Sequence, residues 1–234
     1  MAKNYWYVIL TYVIVQFSGE LGVPLLENVF SLAQFDAAVY WMVFSFAAGT
    51  AVTLYLVWPE FKMESTRDAA NGSAIFKWSI GGLFLAYFAQ YIAAAIQIFV
   101  LGIDPGSENT MGIMEIARAA PIFILLPAIF APVLEEIIFR KIIFGSLYKR
   151  MNFFLAGLLS ALIFGFIHGE PQNILLYASM GYVFAYLYVK TKRIIVPIIV
   201  HAAMNTITVL VQYSVDPEEM RRRLEQLNMI LFGG

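Results

Sequence analysis

The chain places reactive side chains inside apolar sequence. Glu135, Glu136, Arg140 and Lys141 fall within the hydrophobic run that begins near Pro121, and its two histidines, His168 and His201, lie in or beside later apolar segments. Charged groups are expensive at membrane depth, so there they mark a protein-lined cavity rather than a lipid-facing surface. Glu136 and Arg140 stand four apart on one helix face, a spacing that suits an internal ion pair and also a role in binding or catalysis. Glu135 points about 100° away from its neighbour on a helix. With no cation spaced to meet it, Glu135 reads as the reactive carboxylate. His201 and Asn205 form a second pair four apart, open to two readings, interhelical packing and site chemistry. His168 ends its segment, where capping the last carbonyls is the alternative to a functional role.

Taken together, these groups have a chemistry in common. One glutamate and two histidines from three segments can hold zinc or another divalent ion with one position open, or a water with no metal at all. Either arrangement activates water. The Asn205 amide can donate to the oxyanion formed when water adds to a carbonyl. With no cysteine in the chain, thiolate catalysis and Cys-ligated metal centres are excluded. No GxSxG elbow is present, and Ser160 and Ser179 lack a motif around them. A transporter also uses buried Glu, Arg and His, but the chain shows no internal repeat. A membrane scaffold or immunity protein is the third class.

The elements that must position these residues follow from composition. Of 234 residues, 61% are hydrophobic and 13% charged, against roughly 25% charged in soluble proteins. That balance predicts a polytopic membrane protein, and the bilayer interior then dictates an all-α fold. The net charge of −1 gives no electrostatic case for nucleic acid. Apolar segments at 5–26, 37–58, 78–101, 121–148, 153–168, 172–189 and 194–213 predict about seven transmembrane helices around a membrane-embedded polar site. Pro127 and Pro132 should kink the fourth, because each removes an amide donor just before Glu135. A short amphipathic stretch at 111–119 precedes it. The organisation expected is N-terminal helices over 1–120, a site-bearing core over 121–213 and an amphipathic tail over 214–234, capped by Asp216 with Pro217 at its first position. The run from Tyr5 lacks a cleavage pattern and should remain as a helix. Lys62, Arg67, Lys77, Lys149, Arg150, Lys190, Lys192 and Arg193 fall in alternate loops, which predicts a cytoplasmic N-terminus. Arg221, Arg222 and Arg223 break that pattern.

These segments resemble the three signature motifs of the CPBP family, the CAAX-protease and bacteriocin-processing (Abi or Rce1-like) intramembrane proteases. EExxxR reads EEIIFR at 135–140, FxxxH reads FGFIH at 164–168, and HxxxN reads HAAMN at 201–205. They occur in order, each on an apolar segment, and the resemblance covers about residues 121–211. It implies that Glu135 and His168 orient and deprotonate a water, while His201 and Asn205 complete the water or metal site and stabilise the oxyanion. Glu136 and Arg140 would support the site or position substrate. If a metal is used, zinc or another divalent ion, its ligands would be Glu135, His168 and His201; a metal-free glutamate mechanism is equally open. The resemblance further implies an integral protein of the bacterial plasma membrane, acting among lipids on a hydrophobic or lipidated peptide or protein, with oligomeric state open. The leading expectation is an intramembrane endopeptidase for bacterial peptide or protein maturation. The alternatives are a CaaX-type prenyl protein endopeptidase and a non-proteolytic immunity or scaffold protein, with a transporter behind these.

Overall fold

A computed structural model describes residues 3–63, 68–103 and 106–214, together with Arg222, Gln226 and Met229. The expected tail helix over 214–234 lies almost wholly outside the described residues. Within them the chain is helical: α1 (Lys3–Phe17), α2 (Gly19–Phe30), α3 (Gln34–Met63), α4 (Gly72–Phe99), α5 (Glu108–Ala119), α6 (Pro121–Tyr148), α7 (Phe153–Ile167), α8 (Ile174–Thr191) and α9 (Ile195–Tyr213). The all-α polytopic expectation holds.

Five of these helices, α3, α4, α6, the 171–191 segment containing α8, and α9, are long and apolar enough to cross a bilayer. The first expected span is instead two helices, α1 and α2, meeting at a 50° bend, and counting them as one span gives six. The break falls at Ser18, whose hydroxyl accepts the Trp41 indole N–H at 3.0 Å and so ties the bend to α3. The fifth expected span, α7, has fifteen residues, which falls short of the roughly 20 a spanning helix needs. Helix α3 also runs past its expected end, through Pro59 to Met63. That extra turn brings Glu60 to Lys141 (3.2 Å) and to the Tyr5 hydroxyl (2.7 Å).

Helix starts follow local chemistry. Asn71, Ser107 and Asn152 each accept a backbone N–H three residues on, opening α4, α5 and α7. The outward faces are apolar: Phe84 is 71% exposed, Tyr91 74% and Phe166 76%. Such a surface belongs in lipid rather than water. The interior inverts this, with Glu136, Arg140 and Lys141 all buried.

Pro127 and Pro132 do loosen α6. It opens as a 3₁₀ turn (Pro121–Ile124), widens to π-helix (Leu126–Phe130), returns to α over Ala131–Glu136 and widens again over Ile137–Phe144. In the first π stretch the Ala131 N–H donates to Leu126 O. Pro132 has no N–H to offer Pro127 O, so that carbonyl is left for a side chain.

Helices α7 and α8 pack beside the buried end of α6, and Gly181 lets α8 approach both α6 and α7. A Cβ there would sit 3.2 Å from Arg140 Nη2 and 3.3 Å from both Ala161 Cα and Phe164 Cδ1. Gly181→Val is therefore expected to cost about 1–3 kcal/mol by overpacking, at about 2–4 °C of Tm for each kcal/mol. Thermal unfolding in detergent checks this, and an unchanged midpoint contradicts the packing.

Candidate active site

Helix α6 presents two consecutive carboxylates in different environments. Glu136 is fully buried, whereas the Glu135 side chain keeps 16% exposure. Arg140 Nε lies 3.0 Å from Glu136 Oε2, which bears out the internal ion pair expected from their spacing. The Nε–H is not aimed along that line, so this is an ion pair by distance rather than an aligned hydrogen bond. The guanidinium is otherwise held between aromatic faces, 4.2 Å from the Phe164 centroid and 5.1 Å from that of Phe184.

His201 supplies the contact that spacing did not disclose. Its Nδ1 lies 2.8 Å from Glu136 Oε1. A carboxylate only accepts, so the contact places the proton on Nδ1 and leaves Nε2 with a lone pair in the neutral ring. Nε2 sits 3.8 Å from Glu135 Oε2. That is too long for a hydrogen bond, and short enough for one water to touch both groups. Phe184 stacks on the His201 ring at 5.0 Å, and Phe164 meets it edge-on at 5.9 Å.

His168 caps α7, and its Nδ1 donates to Phe164 O at 2.7 Å, one turn back. The capping alternative is thus realised, and it still leaves Nε2 unengaged by that bond. The chain then reverses at Gly169, whose φ of +72° suits glycine. Phe164 touches the His168 ring as well, at 4.5 Å. One phenylalanine therefore spaces both imidazoles and Arg140. Asn205 Nδ2 donates to the stranded Pro127 carbonyl at 2.9 Å; an amide carries a second N–H.

Glu135, His168, His201 and Asn205 line one cavity of about 320 Å³. Tyr12 and Gln16 of α1 and Asn109 and Thr110 of α5 line it too. The three-residue set anticipated for a divalent ion is not assembled. Among the described residues, no three His, Asp or Glu side chains converge as metal ligands, whereas catalytic zinc takes three. The carboxylate and imidazole facing this cavity suit a bound water.

A second polar cluster had no signature in the sequence. Glu170, 5% exposed, accepts from the Asn109 N–H (2.8 Å), Tyr177 (2.6 Å), Ser107 (2.9 and 3.1 Å) and Asn173 (3.2 Å). Gly169 and Pro171 flag a turn here, but the partners come from remote loops. Burial pushes the Glu170 carboxyl up, yet these hydrogen bonds outweigh it and hold the group below its ordinary range.

Helices long and apolar enough to cross a bilayer, with apolar outward faces, make this a polytopic all-α membrane protein. The profile described as "Type II CAAX prenyl endopeptidase Rce1-like" matches residues 117–207. The chain is 42% identical over 243 aligned residues to YdiL of Bacillus subtilis (strain 168), named as a candidate membrane peptidase. That alignment covers all of this chain and 99% of YdiL. It is 36% identical over 162 residues to "Membrane-embedded CAAX protease MroQ" of Staphylococcus aureus (strain USA300), covering 67% of this chain and 65% of MroQ. A Lactococcus lactis (strain IL1403) protein, "UPF0177 protein YxdF", is 27% identical over 131 residues, 55% of this chain and 72% of that one. No solved structure matches. The chain belongs to the Rce1-like CPBP (Abi) family of intramembrane proteases.

Two expectations follow from the buried groups. Arg140→Met strands the Glu136 charge and should cost about 3–5 kcal/mol, whereas Glu136→Gln with Arg140→Met should lose less than Arg140→Met alone. Denaturation in detergent measures both, and a stable Arg140→Met protein contradicts the buried pair. For Glu170, a folded pKa below the unfolded value stabilises the fold above about pH 4.3. That stability is lost as pH falls through the folded value. Wild type should therefore lose stability relative to Glu170→Gln between roughly pH 5 and pH 3. A difference that stays flat over that range contradicts the network.

Proposed function

We propose that the chain is an endopeptidase that cuts a membrane-associated hydrophobic or lipidated peptide with an activated water. The observation that carries this reading is the 3.8 Å gap between Glu135 Oε2 and His201 Nε2 at a shared cavity wall. A water in that gap donates to the Glu135 carboxylate, which takes its proton as it attacks the scissile carbonyl. His168, on the same cavity, works on the water with Glu135. The second Asn205 N–H steadies the oxyanion, and the bare His201 Nε2 accepts the water's other hydrogen and so orients it. The proton held by Glu135 then passes to the leaving amine. Glu136 does not meet substrate in this scheme; it holds His201 in the Nδ1–H tautomer, and Arg140 balances its charge.

Membership of a protease family supports hydrolysis over transport. The similarity to MroQ, named a CAAX protease, favours a CaaX-type prenylated substrate as the second reading. The bent α1–α2 pair and the short α7 complete a seven-segment arrangement with the N-terminus cytoplasmic. Fifteen residues of α7 rise roughly 22 Å, less than the roughly 30 Å of a hydrocarbon core. His168, at the end of α7, then lies below the membrane surface, where a peptide bond in the bilayer can reach it.

Turnover of a fluorogenic hydrophobic peptide, with and without a prenyl group, by the detergent-purified chain tests the proposal. Glu135→Gln should lower kcat by at least about a hundredfold while the thermal midpoint stays at the wild-type value. Wild-type turnover in that variant defeats the mechanism. Metal analysis of the active protein decides whether a divalent ion joins the water.

A further inference from the structure

Glu170 sits outside the residues of the mechanism, yet touches two things the mechanism needs. Its carboxylate accepts the Tyr177 hydroxyl at 2.6 Å, the short distance of a charge-assisted O–H···O⁻ bond. The Tyr177 ring stacks on the His168 imidazole, with centroids 4.1 Å apart and planes 24° apart. The same carboxylate accepts from the Ser107 hydroxyl and the Asn109 N–H at the start of α5. From there α5 supplies Asn109, Thr110, Ile113 and Met114 to the cavity wall. Asn173 completes the shell, bonding Glu170 and the Gly106 carbonyl with one amide group.

We propose that Glu170 is a positioning residue of the hydrolytic site, fixing the His168 ring through Tyr177 while docking α5 as the cavity wall. The inference rests on His168 acting in hydrolysis. Three constraints set the imidazole: the Nδ1 bond to Phe164 O, the Phe164 edge on one side and the Tyr177 face on another. The first leaves the ring free to tilt about its bonded corner. A phenol ring anchored at its hydroxyl removes that freedom. One carboxylate accepts both from the wall and from the phenol, so seating the wall and aligning the imidazole are a single event. A purely local reading has Glu170 only as an acceptor for the α5 N-terminus and the adjoining loop. On that reading its loss lowers stability and leaves His168 untouched.

The two readings separate in a spectrum that needs no turnover. The chain has two histidines, so the full-length protein in detergent, labelled with ¹³C at imidazole Cε1, gives two signals. His168→Gln assigns them. Stacking on Tyr177 should hold the His168 Hε1 signal upfield of free imidazole by ring current. Glu170→Gln, which replaces an all-acceptor group with a half-donor amide, should move it back towards the free value while His201 stays put. Tyr177→Phe keeps the ring and deletes its anchor. It should give a smaller shift in the same direction, and it carries the test if Glu170→Gln fails to fold. In both variants kcat on the hydrophobic peptide should fall about tenfold to a hundredfold, the scale of a misplaced catalytic group. For Tyr177→Phe, KM should stay within about twofold of wild type, since uniform binding is untouched. Glu170→Asp should restore part of kcat. An unmoved His168 signal in both variants overturns the proposal, as does a moved signal with wild-type kcat. Wild-type turnover in His168→Ala defeats the hydrolytic reading instead, and the spectrum still reports whether Glu170 sets the ring.

Discussion

The fully buried Glu136 carboxylate governs the site. A bare charge in that position would be intolerable, so the fold must bring it compensation. Arg140 comes from the next turn of the same helix, and His201 comes from α9. Together they engage both oxygens. The consequence falls on its neighbour: Glu135, one residue earlier, faces the cavity opposite the unprotonated nitrogen that Glu136 has dictated. Two adjacent glutamates thus acquire different environments, one enclosed by Arg140 and His201 and one facing the cavity. Phe164 reinforces the division by packing against Arg140 and both imidazoles.

Backbone irregularity does the rest of the positioning. π-helical stretches widen α6 on either side of the glutamates, and in each a carbonyl accepts a side chain from another helix. Pro127 O takes Asn205 from α9, and Phe139 O takes the Ser160 hydroxyl from α7. Two helices are thereby pinned to α6 by directional bonds. In lipid this matters more than in water, because apolar packing alone gives helices little reason to prefer one rotation over another.

What could be read from sequence tracks the distance over which each signal acts. The division between Glu135 and Glu136 was legible because helix periodicity separates adjacent residues, and the Glu136–Arg140 pair because four residues make one turn. The proline loosening of α6 was legible for the same local reason. The Glu136–His201 bond joins residues 65 apart, and no spacing rule reaches that far. Glu170 was opaque too: Gly169 and Pro171 announced a turn, but Ser107, Asn109 and Tyr177 come to it only through the fold. Hydropathy also ran the first span straight through Ser18, since a bend there leaves the apolar count unchanged. It ended α3 at Trp58, although the helix continues through Pro59 and delivers Glu60 to Lys141. The family motifs marked segments that meet at one cavity, without showing how Glu136 binds His201.

The protonation of His201 tests this account most directly. Nitrogen-15 spectra of the imidazole-labelled protein, near neutral pH in detergent, report which ring nitrogen carries the proton. The buried Glu136 carboxylate predicts a proton on Nδ1, seen as a one-bond N–H coupling, and a bare Nε2 towards Glu135. A proton on Nε2 with Nδ1 bare would set a lone pair against the Glu136 carboxylate and contradict the arrangement on which the site depends.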